Sequence, residues 1–280
     1  MKQIGLYPNP QRDEQLAYTL KIADFLTAKG AEIFLLEEYS PYLSSCPKTI
    51  TLCKEADFWE KIDVLITLGG DGTVLKAAPY AAKAGVPIFG INLGHVGFMT
   101  SLEIKEIEKI GDLLEKPMCR SQRMMLKASI PGKEDLFALN DFVFLPKEGF
   151  HMISLSLSVN GRTLSDYRAD GMIFHTPTGS TGYSFSAGGA LVEDSFPCIG
   201  IKPIAPYMHH NAQHMIFHPE TVFSVKNCSC PEGQVHLCTD GKTSIALTEE
   251  DEIQITRWEH FVTLLHFSEK TNVEDYFRKF

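Results

Sequence analysis

The first ninety residues alternate short apolar runs with stretches whose apolar residues recur at helical spacing. Four runs predict strands: Ile4–Tyr7, Ile33–Leu36, Val64–Leu68 and Val86–Gly90. Helices are predicted between them, with Leu16, Leu20, Ala23 and Thr27 on one face of the first and Val74–Lys83 forming the second. The run at 64–68 is continuously apolar, as in a strand buried on both faces. This alternation predicts a parallel sheet with helices on its faces.

The pattern changes after a segment at 104–114 whose isoleucines keep helical spacing. Residues 153–159 alternate with period two and run into Asn160-Gly161, a strong hairpin turn. Further strand-like runs are Phe142–Leu145, Val222–Val225, Val235–Cys238, Ile253–Ile255 and Phe261–His266, with another turn at Asp240-Gly241. The sequence therefore predicts a Rossmann-like α/β domain over residues 1–116 and a mainly β domain over 117–266. Residues 267–280 are predicted to form a tail with a short helix that packs back on the first domain.

Composition and charge narrow the class of protein. The chain has 280 residues, 44% of them hydrophobic and 22% charged, as in a globular protein. A net charge of −9 argues against a nucleic-acid partner, which requires a surplus of Lys and Arg. No apolar run approaches the length of a membrane span, and the N-terminus does not look like a secretory signal. Seven cysteines without framework spacing fit reduced thiols, so the cytoplasm is the expected compartment.

One cysteine pair invites a zinc interpretation. Cys228-Ser229-Cys230 lies among several histidines of the surrounding sequence. Structural zinc sites usually separate paired cysteines by two or more residues, and this pair is separated by one. Buried or incidental residues explain the cluster better, and no protein metal site is predicted there.

The strand at 64–68 runs directly into Gly69-Gly70-Asp71-Gly72-Thr73 and then into a helix. Ligands of open α/β sheets bind at such carboxyl ends, where glycines and a helix N-terminus bring backbone amides close to an anion. A loop that only held phosphate would avoid a carboxylate, because like charges repel. Asp71 is therefore either a base or metal-associated residue beside the phosphate, or a cap of the helix that follows. The residues alone leave both interpretations open.

The glycine-rich turn resembles that of several kinase families: NAD kinases, diacylglycerol and sphingosine kinases, and phosphofructokinases. Two further segments distinguish among these kinase families. Asn92–Thr100 is similar to an NAD kinase pattern of Asn, Gly, Gly and Phe. The Phe98 ring could cover a nucleobase there, and core packing is the alternative for that side chain. Asp170–Gly189 is rich in Thr, Ser and Gly, as a sugar-binding loop or an ordinary surface loop would be. It closely resembles the NAD kinase signature, as do Leu139-Asn140-Asp141 and Lys202–Pro206, so the chain is identified as resembling that family over roughly residues 64–245.

The resemblance implies roles for particular residues. Asp71 would take the proton of the adenosine ribose 2′-hydroxyl of NAD, while glycines hold donor phosphates and Mg²⁺ bridges donor oxygens. The implied phosphate- and nucleotide-binding residues are Gly70, Gly72, Leu75 and Phe98. The implied NAD-binding residues are Asn140, Asp141, Thr178 and Tyr183 at the adenosine half, Asp170 at the nicotinamide end, and Arg168, Thr181, Ser186 and Ala205. Arg168 is also a candidate to discriminate NAD from NADH.

Three departures from the family pattern affect the outer contacts. Asp141 stands where the family has Glu, Gly182 stands where it has Ala, and the segment after Pro206 lacks the family's Asn-Arg-Pro. The shorter carboxylate is expected to shift or lose a hydrogen bond to the ligand. Gly182 is expected to loosen the backbone and remove a methyl contact.

The resemblance implies a kinase that transfers the terminal phosphoryl group of ATP or polyphosphate to NAD, giving NADP. It also implies a homodimer or homotetramer with the site near a subunit boundary, Asp170 coming from a neighbouring subunit. A kinase for a lipid or sugar phosphate is disfavoured by the Thr-Pro-Thr-Gly-Ser-Thr loop. A non-catalytic dinucleotide sensor is disfavoured by the presence of Asp71.

Overall fold

The computed structural model describes residues 2–43, 47–94, 97–147, 151–208, 213–229, 235–249, 251–269 and 271–279. They form two compact units. Unit 1 comprises Met1–Arg123, His260–Lys270 and Phe277–Phe280, and unit 2 comprises Met124–Glu259 and Thr271–Tyr276. Among the helices of these ranges, none is long and apolar enough to cross a membrane.

Unit 1 begins with alternating strands and helices. These are β1 (Gln3–Pro8), α1 (Ala17–Ala28), β2 (Glu32–Leu36), β3 (Ile50–Cys53), α2 (Glu55–Lys61), β4 (Val64–Gly69), α3 (Asp71–Ala84), β5 (Ile88–Asn92), β6 (Leu102–Glu103) and α4 (Asp112–Glu115). Short 3-10 helices cover Glu14–Leu16, Glu37–Tyr42 and Ile104–Gly111. Every residue of β4 and of β5 is buried, which explains their continuous apolar runs.

The strands of unit 1 pair in the order β3-β2-β1-β4-β5, all parallel, and Leu264 near the end of the chain pairs in parallel with Ile88 of β5. The predicted α/β unit with a parallel sheet is confirmed. The strand order reverses between β1 and β4, and this is the switch point at which open α/β sheets bind ligands. The loops that follow β1 and β4 meet there.

Several short elements of unit 1 were not predicted, among them β3, α2 and β6, and the helical spacing at 104–114 proves to be largely that of a 3-10 helix. The strand β3 has four residues and the helix α2 has seven, too few to show a period. The isoleucines at 104, 107 and 110 lie in a 3-10 helix. A 3-10 helix has three residues per turn, so a strict spacing of three places them on one face.

Unit 2 is mainly β, as predicted. Its elements are β7 (Cys119–Ser129), β8 (Leu136–Ala138), β9 (Asp141–Pro146), β10 (Ile153–Val159), β11 (Arg162–Ala169), β12 (Gly171–His175), α5 (Tyr183–Ser186), β13 (Ile199–Ile204), β14 (Met215–Phe217), β15 (Phe223–Asn227), β16 (Val235–Thr239), β17 (Thr243–Leu247), β18 (Glu252–His266) and α6 (Asn272–Lys279). The first residues of β7 and the last of β18 and α6 are counted in unit 1.

One antiparallel sheet of unit 2 has the order β14-β13-β12-β9-β16-β17. The strands β11, β10 and β15 pair with one another in sequence, and β15 pairs with residues 252–255 of β18. Side chains of both groups, among them Phe144, Phe174 and Phe223, form one core. At the predicted hairpin turn Asn160 and Gly161 have φ values of 49° and 76°, the left-handed pair of a type I′ turn.

The units and the predicted domains divide the chain at different residues. Residues 117–123 and 260–266 belong to unit 1. The pairing of the end of β18 with β5 accounts for residues 260–266. The C-terminal tail is divided between the two units: residues 271–276 belong to unit 2 and residues 277–280 belong to unit 1. The Asn272 side-chain amide donates to the carbonyls of Pro177 and Val192 at 3.2 and 2.9 Å, which ties the start of α6 to the polar loop of unit 2.

Candidate active site

The glycine-rich turn of unit 1 joins β4 to α3. Gly70 is the residue that precedes the helix, and Asp71 is its first residue. A Cβ on Gly69 would overlap the Thr73 side chain, so the turn needs glycine there. The turn ends beside β5, since Leu93 donates its amide to the Gly69 carbonyl at 2.6 Å. The backbone amides at the start of a fourteen-residue helix thus lie at the carboxyl edge of the sheet, where they can bind an anion.

The carboxylate of Asp71 is held by the segment that follows β5. The Phe98 amide donates to Oδ2 at 2.8 Å, and the Met99 amide donates to Oδ1 at 2.9 Å. The residue in the N-cap position of α3 is Gly70, which has no side chain to form a cap. Of the two interpretations of Asp71, helix capping is therefore not the one the structure supports. Two amides fix the carboxylate and leave each oxygen a further lone pair for a ligand.

Gly97 makes this arrangement possible. A Cβ at this position would overlap Oδ1 of Asp71 and would lie 2.9 Å from the Thr100 hydroxyl. The glycine therefore brings the backbone of the 97–99 segment close to the Asp71 carboxylate. His95 and Val96, quoted in the sequence motif, lie outside the described residues.

Arg12 is a cation beside the turn that sequence reasoning did not find. It lies in the loop after β1, and its Nη1 is 3.0 Å from the position of a Cβ on Gly70 and 2.6 Å from that of a Cβ on Gly94. The guanidinium therefore lies against the backbone of the two loops that follow β4 and β5. Such a cation suits the binding of phosphate oxygens. The order β1-β4 puts the loops together, so only the fold reveals the proximity.

The remaining predicted residues of unit 1 occupy the same turn and helix. Gly72 is exposed, whereas Leu75 and Phe98 are half-buried. Phe98 contributes its backbone amide to Asp71, and the expectation that its ring covers a nucleobase stays a prediction. The same holds for contact of Leu75 with a nucleotide.

In unit 2 the polar loop folds against the residues that precede β9. The Thr176 amide donates to the Asn140 carbonyl at 2.9 Å, and the Thr176 hydroxyl donates to the Leu139 carbonyl at 2.6 Å. A Cβ on Gly179 would overlap the Asn140 carbonyl, so the loop needs glycine at its closest approach. The loop is thus an ordered structure of 3-10 and α-helical turns and not an irregular surface loop.

A cavity of about 420 Å³ opens beside this loop. The predicted residues Asn140, Asp141 and Tyr183 line it together with Asp240 and Lys242. Oδ1 of Asn140 is buried without a hydrogen-bond partner among the described residues, and so can accept a hydrogen bond from a ligand. The size and mixed lining suit a small organic ligand.

Asp240 orders one wall of this cavity. Its carboxylate accepts the amides of Leu139, Asn140 and Asp141 at 3.0, 2.8 and 3.0 Å. Burial raises the pKa of Asp240 even though these hydrogen bonds act in the opposite direction. Burial, together with the neighbouring Asp240 carboxylate, raises the pKa of Asp141 to about 7. Two largely buried carboxyl groups therefore lie in one wall of the cavity, and this pair was not predicted because its members are 99 positions apart in the sequence.

The substitution at Gly182 affects the same wall. A Cβ there would lie 3.8 Å from Nδ2 of Asn140, 3.9 Å from Oδ2 of Asp141 and 3.3 Å from the Gly179 carbonyl. The alanine methyl of the family pattern would therefore contact both side chains. Its absence leaves the Asp141 carboxyl more open on this side.

The other predicted NAD-binding residues do not line this cavity. Thr178 is buried, Thr181 is half-buried with its hydroxyl donating to the Thr178 carbonyl, and Ser186 is exposed. Arg168, Asp170 and Ala205 are exposed at the other end of β12 from the His175 end, which pairs with Asp141. The Asp170 amide donates to the Ile204 carbonyl there. The Arg168 guanidinium lies 5.6 Å from the centre of the Tyr207 ring. A strand of five residues separates the two ends by roughly 17 Å. The structure thus divides the predicted residues of unit 2 into two groups.

A histidine pair lies beside the polar loop, with His175 buried and His214 half-buried. Nε2 of His175 and Nε2 of His214 are 2.7 Å apart, His175 Nδ1 is 2.8 Å from the Thr176 carbonyl, and the Ala190 amide donates to His214 Nδ1. Burial lowers the pKa of His175 to about 4 and also lowers the pKa of His214, so both rings favour the neutral form near pH 7. Residues 209–212 of the divergent loop, and Cys230 of the cysteine pair, lie outside the described residues. Within the described part of the chain, no group of three or more His, Cys, Asp or Glu side chains could hold a metal ion.

Comparison with known proteins identifies the family. The family model of the ATP-NAD kinase N-terminal domain matches residues 4–118, and that of the ATP-NAD kinase C-terminal domain matches residues 139–267. The NAD kinase of Citrifermentans bemidjiense is 32% identical over 99% of this chain and 96% of its own length. That of Thermoanaerobacter sp. strain X514 is 32% identical over 99% of this chain and 98% of its own.

Solved structures share the fold. Yeast NADH kinase, complexed with NADH, superposes with a TM-score of 0.81 at 23% identity and covers 100% of this chain and 86% of its own. An NAD kinase from Archaeoglobus fulgidus, in complex with ATP, gives a TM-score of 0.73 at 26% identity and covers 100% of this chain and 98% of its own. With both family models matched and relatives above 30% identity spanning nearly all of its length, the chain belongs to the NAD kinase family and is an enzyme of that family.

Proposed function

We propose that this enzyme transfers the terminal phosphoryl group of ATP to the 2′-hydroxyl of the adenosine ribose of NAD and so forms NADP. The observation that carries the proposal is the Asp71 carboxylate, which two backbone amides hold at the first residue of α3 beside a glycine-rich turn. A carboxylate in this place can accept a proton next to a bound phosphate. The matched family models support the assignment.

Asp71 acts as the base of the reaction. Its oxygens accept the Phe98 and Met99 amides, and a remaining lone pair accepts the proton of the 2′-hydroxyl as that oxygen attacks the terminal phosphorus. The bond between this phosphorus and the β–γ bridging oxygen breaks, and ADP leaves with the electron pair. The amides that begin α3 and the Arg12 guanidinium stabilise the charge on the phosphate oxygens. The protein's contribution is thus positioning and electrostatic stabilisation, which dominate phosphoryl transfer.

A divalent cation, Mg²⁺, is proposed as the cofactor. Mg²⁺ is usually held by one or two carboxylates together with phosphate oxygens and water, and not by a protein cage. The turn fits that requirement, because the Asp71 oxygens keep free lone pairs beside the anion site. Mg²⁺ supplies neutralisation of charge on the donor phosphates.

NAD binding is proposed to use the cavity of unit 2. Its lining offers Asn140 Oδ1 as an acceptor, Tyr183 as a half-exposed ring and the Asp141 carboxyl as a partner for a ribose hydroxyl. Asp141 has a pKa of about 7, so it can donate or accept a hydrogen bond near neutral pH. Arg168, Asp170 and Ala205 lie at the other end of β12, so we propose that a second copy of the chain brings these residues to the site. A homo-oligomer follows from that proposal.

The cytoplasm is the proposed compartment. The cysteines described as free include Cys53, Cys119, Cys198, Cys228 and Cys238, in keeping with a reducing environment.

The deciding experiment is NADP formation by the purified enzyme from NAD, ATP and Mg²⁺. Asp71→Asn keeps the shape of the side chain and removes its basicity, and it is expected to lower kcat by a factor on the order of 10² to 10⁴. Asp57→Asn, which changes an exposed carboxylate of α2, serves as the matched control and should keep wild-type turnover.

Three results would contradict the proposal. Wild-type turnover by Asp71→Asn would remove the base from the mechanism. Transfer of labelled γ-phosphate to a lipid or a sugar phosphate but not to NAD would indicate another kinase. Binding of NAD without turnover, with ATP, inorganic polyphosphate and several divalent metals, would indicate a dinucleotide sensor.

A further inference from the structure

The two histidines beside the polar loop form a hydrogen-bond chain with one fixed direction. The Ala190 amide donates to His214 Nδ1 at 2.9 Å, and an amide N–H cannot accept, so this nitrogen carries no proton. A neutral His214 then holds its proton on Nε2, which lies 2.7 Å from Nε2 of His175. His175 accepts there and keeps its own proton on Nδ1, 2.8 Å from the Thr176 carbonyl. This chain, from Ala190 through both rings to Thr176, is the histidine bridge.

The histidine bridge satisfies every polar atom of the two rings. All four ring nitrogens have a partner, although His175 is fully buried. Burial lowers the pKa of both rings and so favours the neutral form that the bridge requires. A proton added to either ring would set two donors against each other, either between the two Nε2 atoms or between His214 Nδ1 and the Ala190 amide. The bridge therefore fixes one tautomer in each ring.

The fold provides room for this arrangement. His175 ends β12 and lies opposite Gly200 of β13. A Cβ on Gly200 would lie 2.0 Å from Nε2 of His175, so a larger residue there would displace the ring. Two nitrogens bound to one zinc ion are roughly 3.3 Å apart, since each lies about 2.0 to 2.1 Å from a tetrahedral centre. The 2.7 Å between the rings is shorter, so the pair is hydrogen-bonded and does not have the spacing of zinc ligands.

The histidine bridge spans the polar loop and meets the wall of the unit 2 cavity. Its ends, the Thr176 carbonyl and the Ala190 amide, are fourteen positions apart in the sequence. Thr176 also holds the wall, because its amide donates to the Asn140 carbonyl and its hydroxyl donates to the Leu139 carbonyl. Asn140 in turn lines the cavity. A shift of the bridge is therefore transmitted to Asn140.

The loop between the two ends carries a second lining residue. Tyr183 lies in the spanned segment and lines the same cavity. Within the loop, the Ser180 hydroxyl accepts the Val192 amide at 2.9 Å. The histidine bridge ties the loop to the sheet, because His175 ends β12 and His214 directly precedes β14. The sheet thereby fixes both sides of the loop.

We infer that the histidine bridge positions the polar loop for NAD by setting where Asn140 and Tyr183 stand in the cavity of unit 2. Both histidines are positioning residues that act through the loop. The inference rests on the proposed function, because it concerns how the acceptor of that reaction is held. It implies that breaking the bridge weakens the binding of NAD and leaves the binding of ATP unchanged.

The first test observes the bridge directly. In ¹⁵N NMR spectra of the wild-type enzyme at pH 7, His175 should show the Nδ1–H tautomer and His214 the Nε2–H tautomer. A scalar coupling should join their two Nε2 atoms across the hydrogen bond, and the loss of signals in His214→Ala assigns them. The same tautomer in both rings, or a cationic ring, would overturn the inference before any activity is measured.

The second test separates binding from turnover. His214→Ala breaks the bridge at its half-buried ring, and it should raise the dissociation constant of NAD, measured by calorimetry without ATP, about five- to tenfold, the loss expected for one or two hydrogen bonds. The KM for NAD should rise by the same factor, while kcat and the KM for ATP stay at wild-type values, as for an interaction that binds substrate and transition state equally.

Three more variants test the cause of this effect. His214→Gln supplies an amide that can accept from Ala190 and donate to His175, so it should recover most of the affinity for NAD. Gly200→Ala displaces the His175 ring without removing an imidazole, and it should weaken NAD binding as His214→Ala does. His151→Ala removes an exposed histidine of the same unit and is the matched control, which should bind NAD as wild type does.

The outcomes separate this inference from the proposed function. If wild type binds NAD but forms no NADP, the proposed function fails, while weaker NAD binding by His214→Ala still supports the bridge. If NADP forms and His214→Ala or Gly200→Ala keeps the wild-type affinity for NAD, the inference is wrong. A loss of affinity that His214→Gln does not recover would also overturn it, because the loss would then come from packing and not from the hydrogen-bond chain.

Discussion

Asp141 provides a test of the electrostatics of the NAD cavity. Its side chain is 5% exposed, and burial with the Asp240 carboxylate nearby raises its pKa from 3.8 to about 7. In the unfolded chain the carboxyl group ionises near its ordinary pKa. Between about pH 4 and pH 7 the unfolded state therefore releases a proton that the folded state keeps. Stability present at low pH is lost as pH rises through this window.

The size of the effect follows from the shift. A difference of about 3 pKa units corresponds to about 4 kcal/mol at 1.36 kcal/mol per unit. Asp141→Asn has no proton to release, so it escapes this loss. The free energy of unfolding of the variant minus that of wild type should grow by about 2 to 3 kcal/mol between pH 5 and pH 8. The difference removes the contributions of groups that titrate alike in both proteins, which are those that do not interact with Asp141.

The assay is urea unfolding at pH 5, 6, 7 and 8. In a Trp59→Phe background the fluorescence of Trp258 reports unit 2, to which Asp141 also belongs. Glu249→Gln, at an exposed turn of the same unit, is the control and should run parallel to wild type at all four values. Carboxyl ¹³C NMR provides a direct check: the aspartate signal missing from Asp141→Asn should titrate near pH 7.

A difference between Asp141→Asn and wild type that stays constant from pH 5 to pH 8 would refute this reasoning. So would an aspartate signal that titrates near pH 4. Either result would mean that water solvates the Asp141 carboxyl group in the folded protein and that its burial beside Asp240 costs little.

Three further predictions concern the reaction. Gly97→Ala should lower kcat for NADP formation by about tenfold or more, because the new methyl displaces the Asp71 carboxylate; an unchanged kcat would contradict the geometry. Arg12→Ala should raise the KM for ATP by about tenfold, which is the loss expected for one charge-assisted contact, and Arg12→Lys should recover part of it. An unchanged KM in steady-state kinetics would exclude contact between Arg12 and a phosphate. If a second copy supplies Asp170, co-refolding Asp71→Asn with Asp170→Asn should restore roughly a quarter of wild-type activity, whereas no recovery would place both residues in one chain's site.

Local patterns of apolar and turn residues in the sequence predicted much of the fold. The buried strands β4 and β5 are continuous apolar runs, and the hairpin at Asn160-Gly161 has the residues that its left-handed angles require. The short strand β3 and helix α2 were not predicted, because segments of four and seven residues are too short to show a repeating pattern of apolar residues. The helical spacing at 104–114 did not show that Ile104–Gly111 forms a 3-10 helix, because spacings of three and of three to four look alike over two turns.

The sequence predicted only some residues of the candidate site, for a different reason. Motifs located Asp71, Asn140, Asp141 and Tyr183, since each belongs to a contiguous stretch. Contacts between distant segments left no local signal. Asp240 accepts amides from residues about a hundred positions earlier, and Arg12 reaches Gly70 only because β1 pairs with β4. Long-range contacts of this kind depend on strand order, which local patterns do not encode.

The structure also relates two departures that look independent in sequence. Asp141 and Gly182 are forty-one positions apart, yet a Cβ at Gly182 would lie 3.9 Å from Oδ2 of Asp141. Each departure removes atoms from the same wall of one cavity: a methylene at 141 and a methyl at 182. The shorter carboxyl stays beside Asp240, where burial favours its protonated form. The two departures therefore affect one structural feature, the wall of the cavity beside Asp240, and their effects on that wall are not independent.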